Sequence, residues 1–562
     1  MSKSRDVADI IKQPFTTTLG TSNYRAGVNA GNSIASGGNY NVVVGDEAGT
    51  AINTGDENVA VGFSSSKALT TGQYNTAIGK GTLQTETAGR QSVAVGANAL
   101  QTQNTTGGGN ILNTAVGYYA GQAVTTGTQN TLIGGKAGDV LTDADNNVAV
   151  GAGALGSDTL GSKSTAIGKD ALGVQNFTTA TDSNNTAVGF LAGGAVTTGT
   201  SNTYIGVEVG DANTDGIANV AMGGDGTYAA LGADTRGKHT TAIGFGALTV
   251  QNFTSVTATN NTAVGYFAGG TLSVGTGNTY LGSFAGDDSN DGANNVAVGF
   301  AALSGNHGDN NVAVGEGAMI AGTGGTNTVV GSGAGGHGSF SGSSNTMMGR
   351  SAGSTVTTGA NNVLIGQAAG SYDGADLTTG GQNVIVGNYS KVSAAAAAGQ
   401  AVMGYYVTSV GNYNFTFGNA TNDSNIQFGA TSISAPSDER YKEEITTSTA
   451  GLSFIKDLRP VTFKWKKEKD VPSDHQAYVE GSDTRVMFSN GEIVHGFIAQ
   501  EVKAAIDNHS EIKDGFDMWS EQELDENGNS TGGRQRLADG ALIPVLVKAI
   551  QELEARIATL EG

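Results

Sequence analysis

The chain has 562 residues, 89 of them glycine, with no cysteine and a formal net charge of −21. That balance argues against a nucleic-acid surface, which needs clustered Lys and Arg, and a chain without cysteine has no disulfide framework. No stretch is long and apolar enough to insert in a bilayer as a helix. Composition divides the chain at Pro436. Residues 1–436 hold 40 charged residues and a net charge of −12, and residues 437–562 hold 39 and −9, with both tryptophans, Trp465 and Trp519.

The segment 1–37 lacks the apolar core of a secretion signal. It carries a short helix-like run, Val7 to Ile11, and a break at Pro14. From 38 to 404 the chain is a tandem repeat whose motif is Asn, a short apolar step and Gly, as in Asn75-Thr76-Ala77-Ile78-Gly79 and Asn113-Thr114-Ala115-Val116-Gly117. Of the twenty intervals between closing glycines from Gly45 to Gly404, twelve are 17 residues and five are 21. A short fixed period predicts a solenoid whose coils bury a core by stacking, and the repeat is free of proline, as a strand ladder requires. Val59 and Val61 should share one face and Ala60 the other. Asn and Gly, which tolerate left-handed backbone, are expected at the corners. About 21 rungs at ~4.8 Å give a rod on the order of 100 Å long.

Two long intervals share a Gln-Asn-Phe-Thr insertion, with Phe177 and Phe253. They read either as receptor-contacting loops with exposed aromatics or as corner decorations packed on their own rod or a neighbouring chain. Asp211 to Gly216 and Asp287 to Gly292 imitate calcium loops. Their twelfth positions, Met222 and Val298, lack the required Glu, so they read as acidic turns. The six histidines show no metal-ligand spacing, and neither a metal nor another cofactor is expected.

After Gly404 the glycine spacing contracts, which marks 405–436 as a neck. Ser437-Asp438-Glu439-Arg440 reads as a helix N-cap with acidic first-turn residues. The last helix carries Leu546, Ile550, Leu553, Ile557 and Leu560 at coiled-coil spacing. It is either a self-association seam or a helix packed on its own domain. Pro544 should start or kink it.

Two resemblances add to this reading. The Asn-x-Ala-Val/Ile-Gly steps resemble the heads of trimeric autotransporter adhesins, which are parallel β-rolls, although a 17-residue period is longer than is usual there. Ser437-Asp438-x-Arg440-x-Lys442, Leu458-Arg459-Pro460-Val461 and Gly496-Phe497-Ile498-Ala499-Gln500-Glu501, followed by a terminal helix, resemble the intramolecular chaperone domain of endosialidase-type phage tailspikes and tail fibres. The resemblance spans 437–562 and implies an autoproteolytic domain that trimerises, guides folding and then cuts itself off. It implies cleavage between Pro436 and Ser437, a catalytic dyad of Ser437 and Lys442, and orienting roles for Asp438 and Arg440. Five residues along a helical turn would bring the Lys amine towards the Ser hydroxyl.

The fold class expected is therefore mainly β: a trimeric parallel β-solenoid rod with a C-terminal α+β chaperone domain ending in a coiled-coil helix. The expected role is a phage tail fibre in the virion, made in the host cytoplasm. It would attach to the tail or baseplate through 1–37 and bind a host receptor, a glycan or an outer-membrane component. The only enzymatic activity expected is self-cleavage. A cell-surface adhesin of autotransporter type and a glycan-degrading tailspike are the alternatives.

Overall fold

Most repeat motifs become a three-residue strand, as at Val59–Val61 and Thr76–Ile78, and three extend to five or six residues, as at Thr203–Val207. Successive strands pair in parallel and in phase with the repeat: Val59 faces Thr76, Ala60 faces Ala77 and Val61 faces Ile78. The computed structural model describes residues 20–336, 340–374, 376–430, 432–473, 477–487, 492–521 and 535–562. The chain forms two compact units that meet at the Pro436–Ser437 bond. The first is a β-solenoid whose single 24-stranded sheet is parallel except for its last pair.

The coil extends beyond 38–404 at both ends. Tyr24–Ala26 already pairs with Val42–Val44, so part of the segment 1–37 is coil; residues 1–19 lie outside the described residues. Ala401–Tyr405 pairs in parallel with Asn414–Asn419, and the antiparallel strand Asn422–Gln427 closes the end, so the neck 405–436 carries a further rung. Both segments keep the motif's ends, Asn23 with Gly27 and Asn414 with Gly418, and the Asn41 N–H donates to Asn23 Oδ1 (2.8 Å). The strand residues between them and the spacing to the next glycine differ from the repeat.

The middle residue of the strand step points into the coil, most often Ala and in some coils a larger residue such as Leu132, Tyr204, Tyr280 or Met347. Ala60, Ala77, Ala94 and Ala115 are fully buried, as are the alanines that follow the closing glycines, such as Ala99 and Ala120. The flanking positions point outward, and Ile78, Leu281 and Met348 are largely exposed. The alanines thus line the coil's own interior; they do not mark the approach of another chain. The closing glycines are obligatory because the coils stack so closely. Gly79 has φ +139°, and a Cβ there would lie 2.7 Å from the backbone carbonyl of Gly96.

The motif Asn is a core residue, which corrects its placement at a corner. Asn58 and Asn75 are buried and form a ladder along the rod. The Asn75 backbone N–H donates to Asn58 Oδ1 (3.0 Å), and Asn75 Nδ2 donates to the Gly89 carbonyl (2.9 Å) of the next coil. The left-handed position is the residue before it, as at Glu57 (φ 56°) and Tyr74 (φ 60°).

The ladder is interrupted at three of the long coils, where a buried Gln fills the gap. Gln103 Nε2 donates to Ser92 Oγ (3.1 Å) and to Glu86 (2.9 Å), while Asn113 Nδ2 donates to Gln103 Oε1 (2.9 Å). Gln175 repeats this between Asp158 and Asn185 (2.6 and 2.8 Å), and Gln251 between Asp234 and Asn261 (3.0 and 2.8 Å). Burial raises the Asp158 and Asp234 carboxyls above the usual value, opposed by these Gln and backbone N–H donors. Here Phe177 and Phe253 are 6% and 7% exposed, so they are not receptor-contacting aromatics. Asp158 Oδ1 accepts from the Phe177 N–H (3.1 Å), and the ring lies over Gly161, where a Cβ would be 2.8 Å from it. Residues of the long coils instead pair in parallel with the preceding coil, Thr181–Asp182 with Gly161–Ser162 and Thr257–Ala258 with Gly237–Lys238.

The second unit is α+β. Its helices are Leu452–Asp457, Ala499–Asp507 and Leu542–Glu561. Two small antiparallel pairs accompany them, Val461–Phe463 with Val494–Gly496 and Trp519–Glu521 with Gln535–Leu537. The core gathers Phe454, Val502, Ile506, Met518, Leu542 and Val545. Pro544 sits in the first turn of the terminal helix, where its missing N–H has no intrahelical partner to lose.

Candidate functional site

Ser437 opens the second unit. The helix predicted after it is a single 3-10 turn, Glu439–Tyr441, and its cap is Asp438, not Ser437. Asp438 accepts from the Arg440 backbone N–H (2.9 Å) and from Arg440 Nε (3.0 Å). That pairing holds the Asp438 carboxyl below the usual value, with the Arg440 side chain as the main cause. Asp438 thereby caps the turn.

Lys442 follows the turn in extended backbone, φ −122° and ψ 141°. The tight turn and the extended residue together return the side chain, and Lys442 Nζ lies 2.7 Å from Ser437 Oγ. The pair is brought together by a bend, not by a helical repeat. Both residues are exposed on the single chain. A nucleophile and a candidate base at hydrogen-bond distance form the minimal arrangement for acyl transfer. A lysine acts as a base only where water is excluded, so the site needs a covering surface.

Two contacts that sequence reasoning missed join the remaining motif segments. Arg459 forms an ion pair with Glu501, and Val461 pairs with Gly496. Leu452 N–H donates to Glu552 of the terminal helix (2.9 Å). Arg and Glu at those places in the two motifs were the available signal, but charge alone does not name its partner.

The terminal helix has two apolar faces. Leu542, Val545 and Ala549 are buried in the unit's own core. Leu546, Ile550, Leu553, Ile557 and Leu560 are not; their exposure runs from 41% at Leu546 to 87% at Leu560. These five residues are therefore not part of their own domain's buried core. Among the described residues no three His, Asp or Glu converge as a metal site. In the first calcium-like turn, Asn213 points into the coil and accepts from the Gly216 N–H (3.1 Å).

Residues 437–511 match the family model for the chaperone of endosialidase. The second unit carries an endosialidase-type chaperone domain. The family description covers the turn with Ser437 and Lys442 and both segments joined by Arg459 and Glu501. No curated protein and no solved structure matches the chain.

Proposed function

We propose that this protein is a homotrimeric phage tail fibre, folded by its chaperone domain, which then severs itself between Pro436 and Ser437. The observation that carries this reading is the Ser437–Lys442 pair, 2.7 Å apart, at the first residues of the chaperone domain and directly after a β-solenoid. In the reaction, Ser437 Oγ attacks the Pro436 carbonyl carbon, and Lys442 accepts the hydroxyl proton. The Pro436–Ser437 C–N bond breaks, the amine of Ser437 takes up that proton, and Pro436 is left as an ester on Oγ. Water then hydrolyses the ester and frees residues 1–436.

Association of three chains is supported by two surfaces. In the motif step of each rung from Val42 to Met403 the outward positions are Val, Thr, Ala, Ile, Leu or Met, and the charge in the ladder is Asp225, at the end of the longer strand Val220–Asp225. An apolar stripe of that length is an interaction surface. The seam Leu546–Leu560 is the second. Packing of neighbouring chains would also cover the exposed dyad. In the virion, the N-terminal end would join the tail or baseplate, and the rod would adsorb to the host surface.

Boiled and unboiled samples on one denaturing gel test the reading. Wild type should give fragments of residues 1–436 and 437–562, with the longer one trimeric when unboiled. Ser437→Ala and Lys442→Ala should remain intact and trimeric. Cleavage that persists in Ser437→Ala removes the dyad assignment.

A further inference from the structure

A corner of the coil follows each closing glycine, and its two positions stack in columns along the rod. The second position's N–H donates to the first position's carbonyl one coil back, as in Asn98 to Lys80 (2.8 Å), Phe267 to Phe245 (2.9 Å) and Phe284 to Tyr266 (2.8 Å). Early in the rod these columns carry Asp46, Glu47, Lys80, Lys136, Lys169 and Asp170. Charges at this phase put the corner in water. The ladder face described above, whose motif steps carry no charge, is a different side of the coil.

In five consecutive coils from Tyr228 to Phe300 the same columns turn aromatic. Ring centroids step along the axis from Tyr228 to Phe245 (5.6 Å), to Tyr266 (5.6 Å), to Phe284 (5.2 Å) and to Phe300 (6.0 Å). Tyr228, Tyr266 and Phe300 are exposed. The run continues into a depression of about 290 Å³ lined by Phe300, Glu316 and Arg350. Arg350 also lines the next depression, about 440 Å³, with Gln367, Tyr372, Tyr389 and Tyr406. Phe267, Phe284, Tyr389 and Tyr406 have φ between 50° and 59°. A bulky side chain there costs roughly 1–2 kcal/mol of backbone strain, and Gly81, Gly153 and Gly317 fill the same column without it. The left-handed backbone is common to the whole column, which also holds Glu47, Asn98, Lys136 and Asp170, so it is a property of the corner that the aromatics share.

We propose that this corner, from Tyr228 to Tyr406, is a binding strip for a neutral, extended hexopyranose polysaccharide lying along the rod. The proposal rests on the host-adsorption reading and names its surface and ligand class. Flat aromatic faces suit the C–H faces of sugar rings, and tyrosine hydroxyls, Gln367 and Arg350 suit their hydroxyls. Rungs ~4.8 Å apart advance by about one pyranose ring. Of the strip residues named, only Glu316 and Arg350 are charged, with opposite signs, so the strip offers no net charge to an ion. The net charge of −21 on the chain repels polyanions.

Native electrophoresis of the full-length expressed protein through gels containing dextran, mannan or galactan tests this, with alginate as the polyanion. At least one neutral polymer should retard wild type. The double variant Tyr266→Ser/Phe300→Ser should weaken that retardation at least tenfold while keeping the trimer and its melting temperature, because Ser283 and Ser332 already occupy the same column. No retardation by any of the three, strongest retardation by alginate, or retardation that survives the double variant overturns the strip. A double variant that loses the trimer shows chain packing at this corner and overturns it too. Cleavage is read on the same samples. A cleaved trimer that ignores all three polymers removes the strip and leaves the fibre reading, whereas an uncleaved monomer removes the fibre reading whatever it binds.

Discussion

The repeat unit and the chaperone unit specify themselves in opposite ways. Most coils of the repeat bury the same few groups, an Asn, a small or apolar strand residue and an Ala after the glycine, and the coil-to-coil bonds run between neighbours. The chaperone unit gathers Phe454, Ile506, Met518 and Leu542 from distant segments into one core. The first kind of structure grows readily once begun but encodes poorly where three chains should start. The second is a unique assembly with exposed apolar residues on its terminal helix. On our reading, uniqueness in one unit supplies what repetition in the other lacks.

Separating the units should have the largest effect. Residues 1–436 expressed alone should be mostly insoluble, whereas the same residues matured from the full chain should stay trimeric and resist heat and detergent. Soluble trimer made without residues 437–562 would falsify an essential chaperone role.

A single methyl group should act very differently in the two units. Gly79→Ala forces a Cβ to 2.7 Å from the Gly96 backbone at φ +139°, a cost of ~3 kcal/mol or more from strain and overpacking. Gly540→Ala meets nothing within 4 Å and should change stability by less than ~0.5 kcal/mol. Hydrogen exchange resolved by peptide checks both; equal effects would show that the stacking described for the coil is wrong.

Acid should also distinguish the units. His307 is buried in the rod, and burial lowers its pKa to about 4. Neutral His307 is favoured in the fold, so its contribution is complete above about 6.5 and is lost as pH falls towards 4. His509 is raised, first by Asp457 (2.8 Å). Its contribution is complete below 6.5 and is lost as pH rises through the shifted value. From pH 7 to 4.5, exchange should quicken around His307, by up to ~3 kcal/mol of local stability, while the His509 contact strengthens. His307→Gln should remove the rod's share; unchanged exchange in wild type would contradict the burial.

Glycine spacing made the coil and its period legible, because stacked backbones admit nothing else at Gly79 or Gly96. The role of Asn was not legible. The left-handed residue beside it is Glu57, Tyr74 or Gln129, types that reveal nothing of backbone angle, while Asn suits a turn and a buried ladder equally well. Phe177 was open to two readings for a similar reason: its packing on its own rod involves Asp158 one coil earlier, and no local pattern shows that. Ser437 and Lys442 were found through motif resemblance. The expected helical geometry was wrong, since a tight turn closes the same distance.

The three buried acid–glutamine joints have a consequence for how such a rod can change length. Elsewhere each coil offers its neighbour the same asparagine, so any coil can succeed any other. At Glu86, Asp158 and Asp234 the next coil brings a glutamine; without it the buried carboxylate keeps its backbone N–H donors but loses its amide partner, at roughly 1–3 kcal/mol. Loss of residues 130–146 would let Asn147 take its bond from Asn113 and leave every amide satisfied. Loss of the coil carrying Gln175 would not. Recombination between near-identical coils can therefore lengthen or shorten the rod in whole steps between these points, and each joint must be inherited as a matched pair.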